Sequence, residues 1–188
     1  MHSICVIGPA GCGKTTFCLS LYKEIFRENK VLINLDPASR TDNTYSYDIR
    51  DYFMENSDSD YSNQDNDLEN FENKKTMSLY DQLQTEGVLG PNGAVLHALD
   101  RLSQDIELIT DNINNSLVII DMPGQIEIFL HSRAFVTIID HFKSLGPLLV
   151  VSLFDCFNFL DSDRFMINSI NSIIINTRIE APCLQLIT

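Results

Sequence analysis

The eight residues Gly8-Pro9-Ala10-Gly11-Cys12-Gly13-Lys14-Thr15 constrain this chain more than any other feature. They match G-x-x-x-x-G-K-[ST], a spacing with chemical reasons behind it. Glycines let backbone N–H groups turn inward around phosphate oxygens. A helix opening near Lys14 aims the positive end of its dipole at the same anion. Lys14 then reaches the β- and γ-phosphates and the Thr15 hydroxyl ligates Mg²⁺, with Gly11, Cys12, Gly13 and Thr16 completing the nucleotide-binding set. The alternative is a chance match in a Gly-rich turn. Context weighs against it. Ile4 to Ile7, just before, is an apolar run of the kind buried on both faces of a sheet, and Cys18, Leu21, Tyr22 and Ile25, just after, recur at helical spacing.

The strand-then-helix pattern continues along the chain. Val31 to Leu35 reads as a second buried strand, Leu117 to Ile120 and Leu148 to Phe154 as a third and fourth strand, and Cys183 to Ile187 as the start of a fifth. Between them, Val95, Ala98, Leu99, Leu102, Ile106 and Ile109 form one helical stripe. Ile126 to Phe142 reads as a helix, and Met166, Ile170, Ile173 and Ile174 mark another. This alternation predicts an α/β fold of the P-loop NTPase type, with a doubly wound, mainly parallel sheet and helices on both faces. Such sheets bind ligands beyond the carboxyl ends of their strands, which singles out the loops at Gly8, Asp36, Asp121 and Asp155. At 188 residues the chain suits one domain. Asp51 to Glu72 breaks the pattern: it holds eight acidic residues, many Asn and Ser, and no Lys or Arg. That composition predicts a disordered insertion over about 55–75, with order resuming near Met77.

Two carboxylates end buried strands. Asp121 follows Leu117-Val118-Ile119-Ile120, where a P-loop domain needs a carboxylate to hold Mg²⁺ through water; its alternative role is to cap the next helix. Met122-Pro123-Gly124-Gln125 follows, a D-x-P-G segment like the D-x-x-G switch whose Gly N–H senses a γ-phosphate. Gln125 is a candidate for orienting the attacking water, Glu127 is a second, and a switch residue without catalytic duty is the competing reading of both. Asp36, in Asn34-Leu35-Asp36-Pro37-Ala38, either holds the metal's water shell or the nucleophilic water, or simply caps a turn.

Bulk composition narrows the partners. A net charge of −13 argues against direct nucleic-acid binding and against an anionic membrane surface, since both need clustered Lys and Arg. Five Cys with no C-x-x-C pair read as reduced thiols and not as a disulfide or zinc framework. The longest apolar stretch, Leu145 to Phe154, contains Gly146 and Pro147 and is far short of the roughly 20 residues a bilayer span requires. The N-terminus lacks the pattern of a secretory signal, so the expected location is intracellular. A small-molecule kinase would need an Arg-rich lid, but Arg50, Arg101, Arg133, Arg164 and Arg178 are scattered.

With these motifs in hand, the sequence resembles the GPN-loop GTPase family. N-L-D-P-A at 34–38, Asp48-Ile49-Arg50, Gly90-Pro91-Asn92-Gly93 and P-G-Q-I-E at 123–127 occur in that family's order and spacing. Gly8-Pro9-Ala10-Gly11 and Tyr47-Asp48-Ile49-Arg50 look most like the third eukaryotic paralogue, with the second as the alternative. The related arsenite-pump ATPases often carry a Lys directly after the first P-loop Gly, where this chain has Pro9. The resemblance implies a dimeric switch that binds GTP or GDP with Mg²⁺ and hydrolyses GTP. It implies that Asn92 acts across a dimer interface at the partner's γ-phosphate. It also implies pairing with itself or with a GPN-loop paralogue, service to RNA polymerase II subunits in assembly and nuclear import, and a cytoplasmic location with shuttling to the nucleus. A different class, a nucleotide-responsive adaptor or chaperone with negligible turnover, or a related ATPase, uses the same site residues. The family reads guanine with [ST]-K-x-D after the fifth strand. The sequence ends at Thr188, one residue before that Lys, so the domain is expected to continue.

Overall fold

The computed structural model describes residues 1–39, 45–51, 90–111, 113 and 116–188, the side chains of residues 91 and 158 excepted. The acidic stretch 55–75 and the resumption near Met77 lie outside the described residues.

Among the described residues, six strands form one sheet in the order β3-β2-β4-β1-β5-β6. They are β1 (His2–Ile7), β2 (Lys30–Asn34), β3 (Tyr47–Asp48), β4 (Leu117–Asp121), β5 (Leu148–Phe154) and β6 (Cys183–Ile187). Every pairing is parallel. Parallel strands need crossovers, and helices supply them: α1 (Lys14–Glu24), α2 (Pro91–Gln104), α3 (Ile106–Thr110), α4 (Ile126–His131), α5 (Arg133–Leu145) and α6 (Ser162–Ile179). The period-two alternation of each strand divides the core into two layers. Cys5, Ile7, Ile33, Val118, Ile120 and Val150 pack with the helices from α2 onward, whereas Val6, Leu32, Ile119, Val151 and Leu153 pack with α1. Both faces are helix-covered at the centre of the sheet, which is why β1, β4 and β5 are largely apolar, whereas β6 at the edge has no buried residue.

Register does the work of positioning. Val6 and Asn34 both pair with Asp121, so the carboxyl ends of β1, β4 and β2 finish in one row. The loops after Ile7, Asn34 and Asp121 consequently emerge side by side.

Two expectations need correction, while the helix marked by Met166, Ile170, Ile173 and Ile174 forms as α6. The single helix over Ile126 to Phe142 is two, because Ser132 is extended (φ −69°, ψ 133°) and its Oγ accepts from Phe135 N at 3.2 Å, capping α5. The stripe through Val95 to Ile109 is likewise divided at Asp105 between α2 and α3, although all six named residues are buried. The stripe that marks α6 faces outward: Met166, Ile170 and Ile173 are 60, 52 and 65% exposed, while Ser172, Ile175 and Ile179 are buried. The physical reason is that α6 is apolar on nearly every side, so tertiary ties choose its inner face. Arg178 donates to the carbonyls of Phe129 (2.7 Å) and Ser132 (3.0 Å), and Gln185 of β6 donates to Ser172 Oγ.

Candidate functional site

The anion loop runs from β1 into α1 as its residue types dictate. Gly11 and Gly13 sit at φ +81° and +87°, in the left-handed region that penalises a side chain, and Gly13 is the residue from which α1 starts. Lys14 is 7% exposed, and its ammonium donates to Pro9 O at 2.9 Å, across the mouth of its own loop. A buried cation whose hydrogen bond among the described residues goes to a neutral carbonyl is poised for an anionic acceptor in its place. Cys12 lies beneath the loop, and burial pushes its thiol acidity down and its pKa up. Thr16 is exposed on α1. The Thr188 hydroxyl donates to Cys12 O at 3.0 Å, tying the end of β6 to the loop.

Asp121 ends β4 beside this loop. Its Oδ2 accepts from Thr15 Oγ1 at 2.7 Å and from the Tyr45 hydroxyl at 3.4 Å. Its Oδ1 is buried without a partner. Burial pushes the pKa of Asp121 up, and the charge of Asp36 adds to this against the opposing Thr15 bond and Lys14. Burial raises Asp36 too, opposed by the Ala38 N–H (3.0 Å from Oδ1) and Lys14. Two dehydrated carboxylates thus share one lysine. An orphaned carboxylate oxygen next to a Thr hydroxyl is the oxygen donor set that a hard cation such as Mg²⁺ takes, usually with phosphate oxygens and waters completing its shell. Among the described residues there is no cluster of three or more His, Cys, Asp or Glu able to hold a metal alone, and a site shared with phosphates needs none.

The segment after Asp121 abuts the loop. A Cβ on Gly124 would fall 2.8 Å from Ala10 Cα, so only glycine permits this approach. Gln125 precedes α4, and its Oε1 is a second buried acceptor without a partner. Glu127 is exposed one residue into α4. Asn92 stands exposed on the first turn of α2 and is hydrogen-bonded to none of Lys14, Thr15, Asp36 or Asp121. The structure therefore brings Lys14, Thr15, Asp36, Asp121 and Gly124 together, sets Gln125 at the edge of that group, and leaves Asn92, Glu127 and Thr16 at the surface.

Two residues with site contacts carry no role in the sequence reading. Tyr45 reaches Asp121, but a lone Tyr in a polar stretch gives no signal. Asn34 is fully buried and bonded to Asp36 on both of its backbone groups, at 2.9 Å to N and 3.2 Å from O. An Asn closing an otherwise apolar strand run is the signal the sequence holds for it, without telling what it bonds to.

A strand–loop–helix cradle whose first helical Thr is bonded to a carboxylate on the neighbouring parallel strand defines a P-loop nucleotide-binding domain. The family model described as "Conserved hypothetical ATP binding protein" matches residues 6–77 and 70–188, and the chain belongs to that family, the GPN-loop family. Among curated proteins it is similar to GPN-loop GTPase 3 of Dictyostelium discoideum, at 27% identity over all of this chain and 59% of that protein. It is similar to the protein of the same name from Saccharomyces cerevisiae at 27% identity, over 98% of this chain and 62% of the relative. The chain thus spans about three-fifths of the length of these relatives. Among solved structures, a GTPase in apo form from Pyrococcus abyssi superposes with a TM-score of 0.69 at 22% identity, over 99% of this chain and 66% of the other, a likeness of fold.

Proposed function

We propose that this chain binds GTP with Mg²⁺ at the Gly8–Thr15 loop and hydrolyses it to GDP and phosphate, as the nucleotide-binding part of a molecular switch. One observation carries the reading: Thr15 Oγ1 bonds to Asp121 Oδ2 at 2.7 Å while Asp121 Oδ1 is buried and unpartnered. That pair joins the phosphate loop to the carboxylate a P-loop enzyme needs, with one oxygen left for a cation or its water. Magnesium, when bound, neutralises charge on the phosphate oxygens. Lys14 exchanges the Pro9 carbonyl for the β- and γ-phosphates. Asp36 and the unpaired Oε1 of Gln125 are acceptors suited to hold a water for in-line attack. The Gly124 N–H, held against Ala10, senses the γ-phosphate, and its loss on hydrolysis is passed to Gln125 and α4.

Support for guanine comes from the names of the relatives and from Pro9 standing where the related ATPases carry Lys, although the family description speaks of ATP. From the resemblance we carry over action as a homo- or heterodimer with a paralogue, with Asn92 serving the partner's site. The exposure of Asn92 suits that role. Service to RNA polymerase II subunits and a cytoplasmic location with nuclear shuttling rest on the resemblance alone.

Single-turnover assays with γ-labelled GTP and ATP, with Mg²⁺ or with EDTA, test the reading. We expect Mg²⁺-dependent release of phosphate from GTP, slowed at least about tenfold by Asp121→Asn. Bound GTP recovered unchanged, with or without a partner subunit, would replace the enzyme with the adaptor reading.

A further inference from the structure

Asp48 and Arg50 belong to the motif set of the chain but touch neither the phosphate loop nor Asp121. Their bonds run elsewhere. β3 pairs with β2 at the sheet edge, with Asp48 in register with Asn34. Asp48 Oδ1 accepts from Asn34 Nδ2 (3.1 Å), Arg50 N (2.9 Å) and Arg50 Nε (2.9 Å), and Oδ2 accepts from Arg50 Nη2 (2.6 Å). This is a bidentate fork with every carboxylate oxygen engaged. The second Nδ2 hydrogen of Asn34 and its Oδ1 both go to Asp36: Oδ1 accepts from Asp36 N and Nδ2 donates to Asp36 O. Arg50 Nη1 donates to Ser39 O at 2.9 Å, and Ser39 N donates to Asp36 O at 3.2 Å. Both ends of the Asp36-Pro37-Ala38-Ser39 turn are therefore tied to one ion pair.

We propose that Asp48 and Arg50 are positioning residues that, through Asn34 and the Ser39 carbonyl, fix the Asp36 carboxylate beside Lys14 and Asp121 for hydrolysis; this rests on the nucleotide reading above. Buried charge explains the need. A dehydrated carboxylate beside another carboxylate would swing toward water, and Pro37 denies its turn a backbone donor. An external clamp replaces what the turn lacks. Arginine suits the task because its planar fork grips Asp48 with two nitrogens while the third reaches Ser39; a lysine ammonium offers charge without that geometry. Arg50→Lys therefore separates positioning from electrostatics.

The test uses the whole chain as expressed, with Arg50→Lys, Asp36→Asn and the double variant. Three readouts are taken: single-turnover GTP hydrolysis, GTP affinity, and hydrogen–deuterium exchange of the Ala38 and Ser39 amides without nucleotide. Arg50→Lys is expected to slow hydrolysis about 10- to 100-fold, as loss of an orienting partner does, with affinity within about threefold and faster exchange at both amides. In the Asp36→Asn background the same change is expected to cost less than about twofold more, because residues acting as one unit are not additive. If Arg50→Lys does not fold, Asp48→Asn, which keeps the shape and removes the charge, is put through the same readouts. A hydrolysing parent whose Arg50→Lys variant keeps its rate and exchange overturns the positioning role alone. A full additional loss in the Asp36→Asn background overturns it as well, since the residue would then act on the fold and not through Asp36. A parent that binds GTP but never hydrolyses it removes the hydrolysis reading and this proposal together.

Discussion

Asp36 and Asp121 place two negative charges in a largely dehydrated site with a single lysine between them. Burial raises both carboxyl groups, so the folded chain holds their protons to higher pH than the unfolded chain does. The favourable contribution is therefore present below the ordinary carboxylate value and is lost as pH rises from there through the raised folded values. Function is thus bought with stability, and Asp36→Asn should return some of it. The amide still caps Ala38 but carries no charge. Scanning calorimetry at neutral pH without nucleotide should find a melting temperature higher by about 2–4 °C, the shift that about 1 kcal/mol gives at this size. A lower melting temperature would mean that the Asp36 charge is stabilised by its surroundings, contrary to this account. Lys14, Thr15, Asp36 and Asp121 are legible in the sequence because phosphate and metal chemistry dictate both residue type and place. Tyr45 and the bonds of Asn34 are not, because the register of a two-residue edge strand and a non-local contact decide them.

At the level of elements, α4 and α5 illustrate what periodicity can and cannot give. The apolar spacing from Ile126 to Phe142 is continuous, so it contains no sign of the break at Ser132. The break is held from outside, by Arg178 on α6 reaching the Phe129 and Ser132 carbonyls. Removing that guanidinium leaves helix-end acceptors poorly paired, so Arg178→Ala should cost about 1–3 kcal/mol and lower the melting temperature by at least about 2 °C. An unchanged transition would show that Ser132 capping alone maintains the junction. The same arginine explains why α6 turns its isoleucine stripe outward: with Phe165, Met166, Ile167, Ile170, Ile173, Ile174 and Ile175 spread around the helix, no hydrophobic face wins on pattern alone. The strands are the opposite case. The apolar runs of β1, β4 and β5 admit one reading because the sheet is covered on both faces there, whereas β6 at the edge leaves Leu184 and Ile187 48 and 62% exposed.

On the scale of the whole molecule, the row formed by Val6, Asn34 and Asp121 delivers three loops to one end of the sheet, and the chemistry follows from that alignment. Fold class, strand order of motifs and the phosphate loop are therefore readable from sequence, whereas anything beyond one copy of the chain is not. Asn92 is the clearest example: it is exposed, and the proposed reading has it serve γ-phosphate chemistry across an interface. Asn92→Ala should slow hydrolysis while sparing GTP affinity, because a group acting where charge develops contributes mainly in the transition state. In mixed dimers the loss should follow the subunit opposite the mutation. Rates that depend only on each site's own chain would remove the role in trans.

On the function proposed above, Gly8–Thr15 and Asp121 together form a Mg²⁺-nucleoside triphosphate site. Isothermal titration of GTP and Mg²⁺ into the chain and into its Lys14→Ala variant tests it most directly. Among the described residues Lys14 hydrogen-bonds to Pro9 O, and its charge offsets Asp36 and Asp121, so its loss should lower the melting temperature by about 2–4 °C, the effect of about 1 kcal/mol, leave the protein folded at the titration temperature, and abolish measurable binding. Wild-type affinity in a folded Lys14→Ala protein would contradict the account.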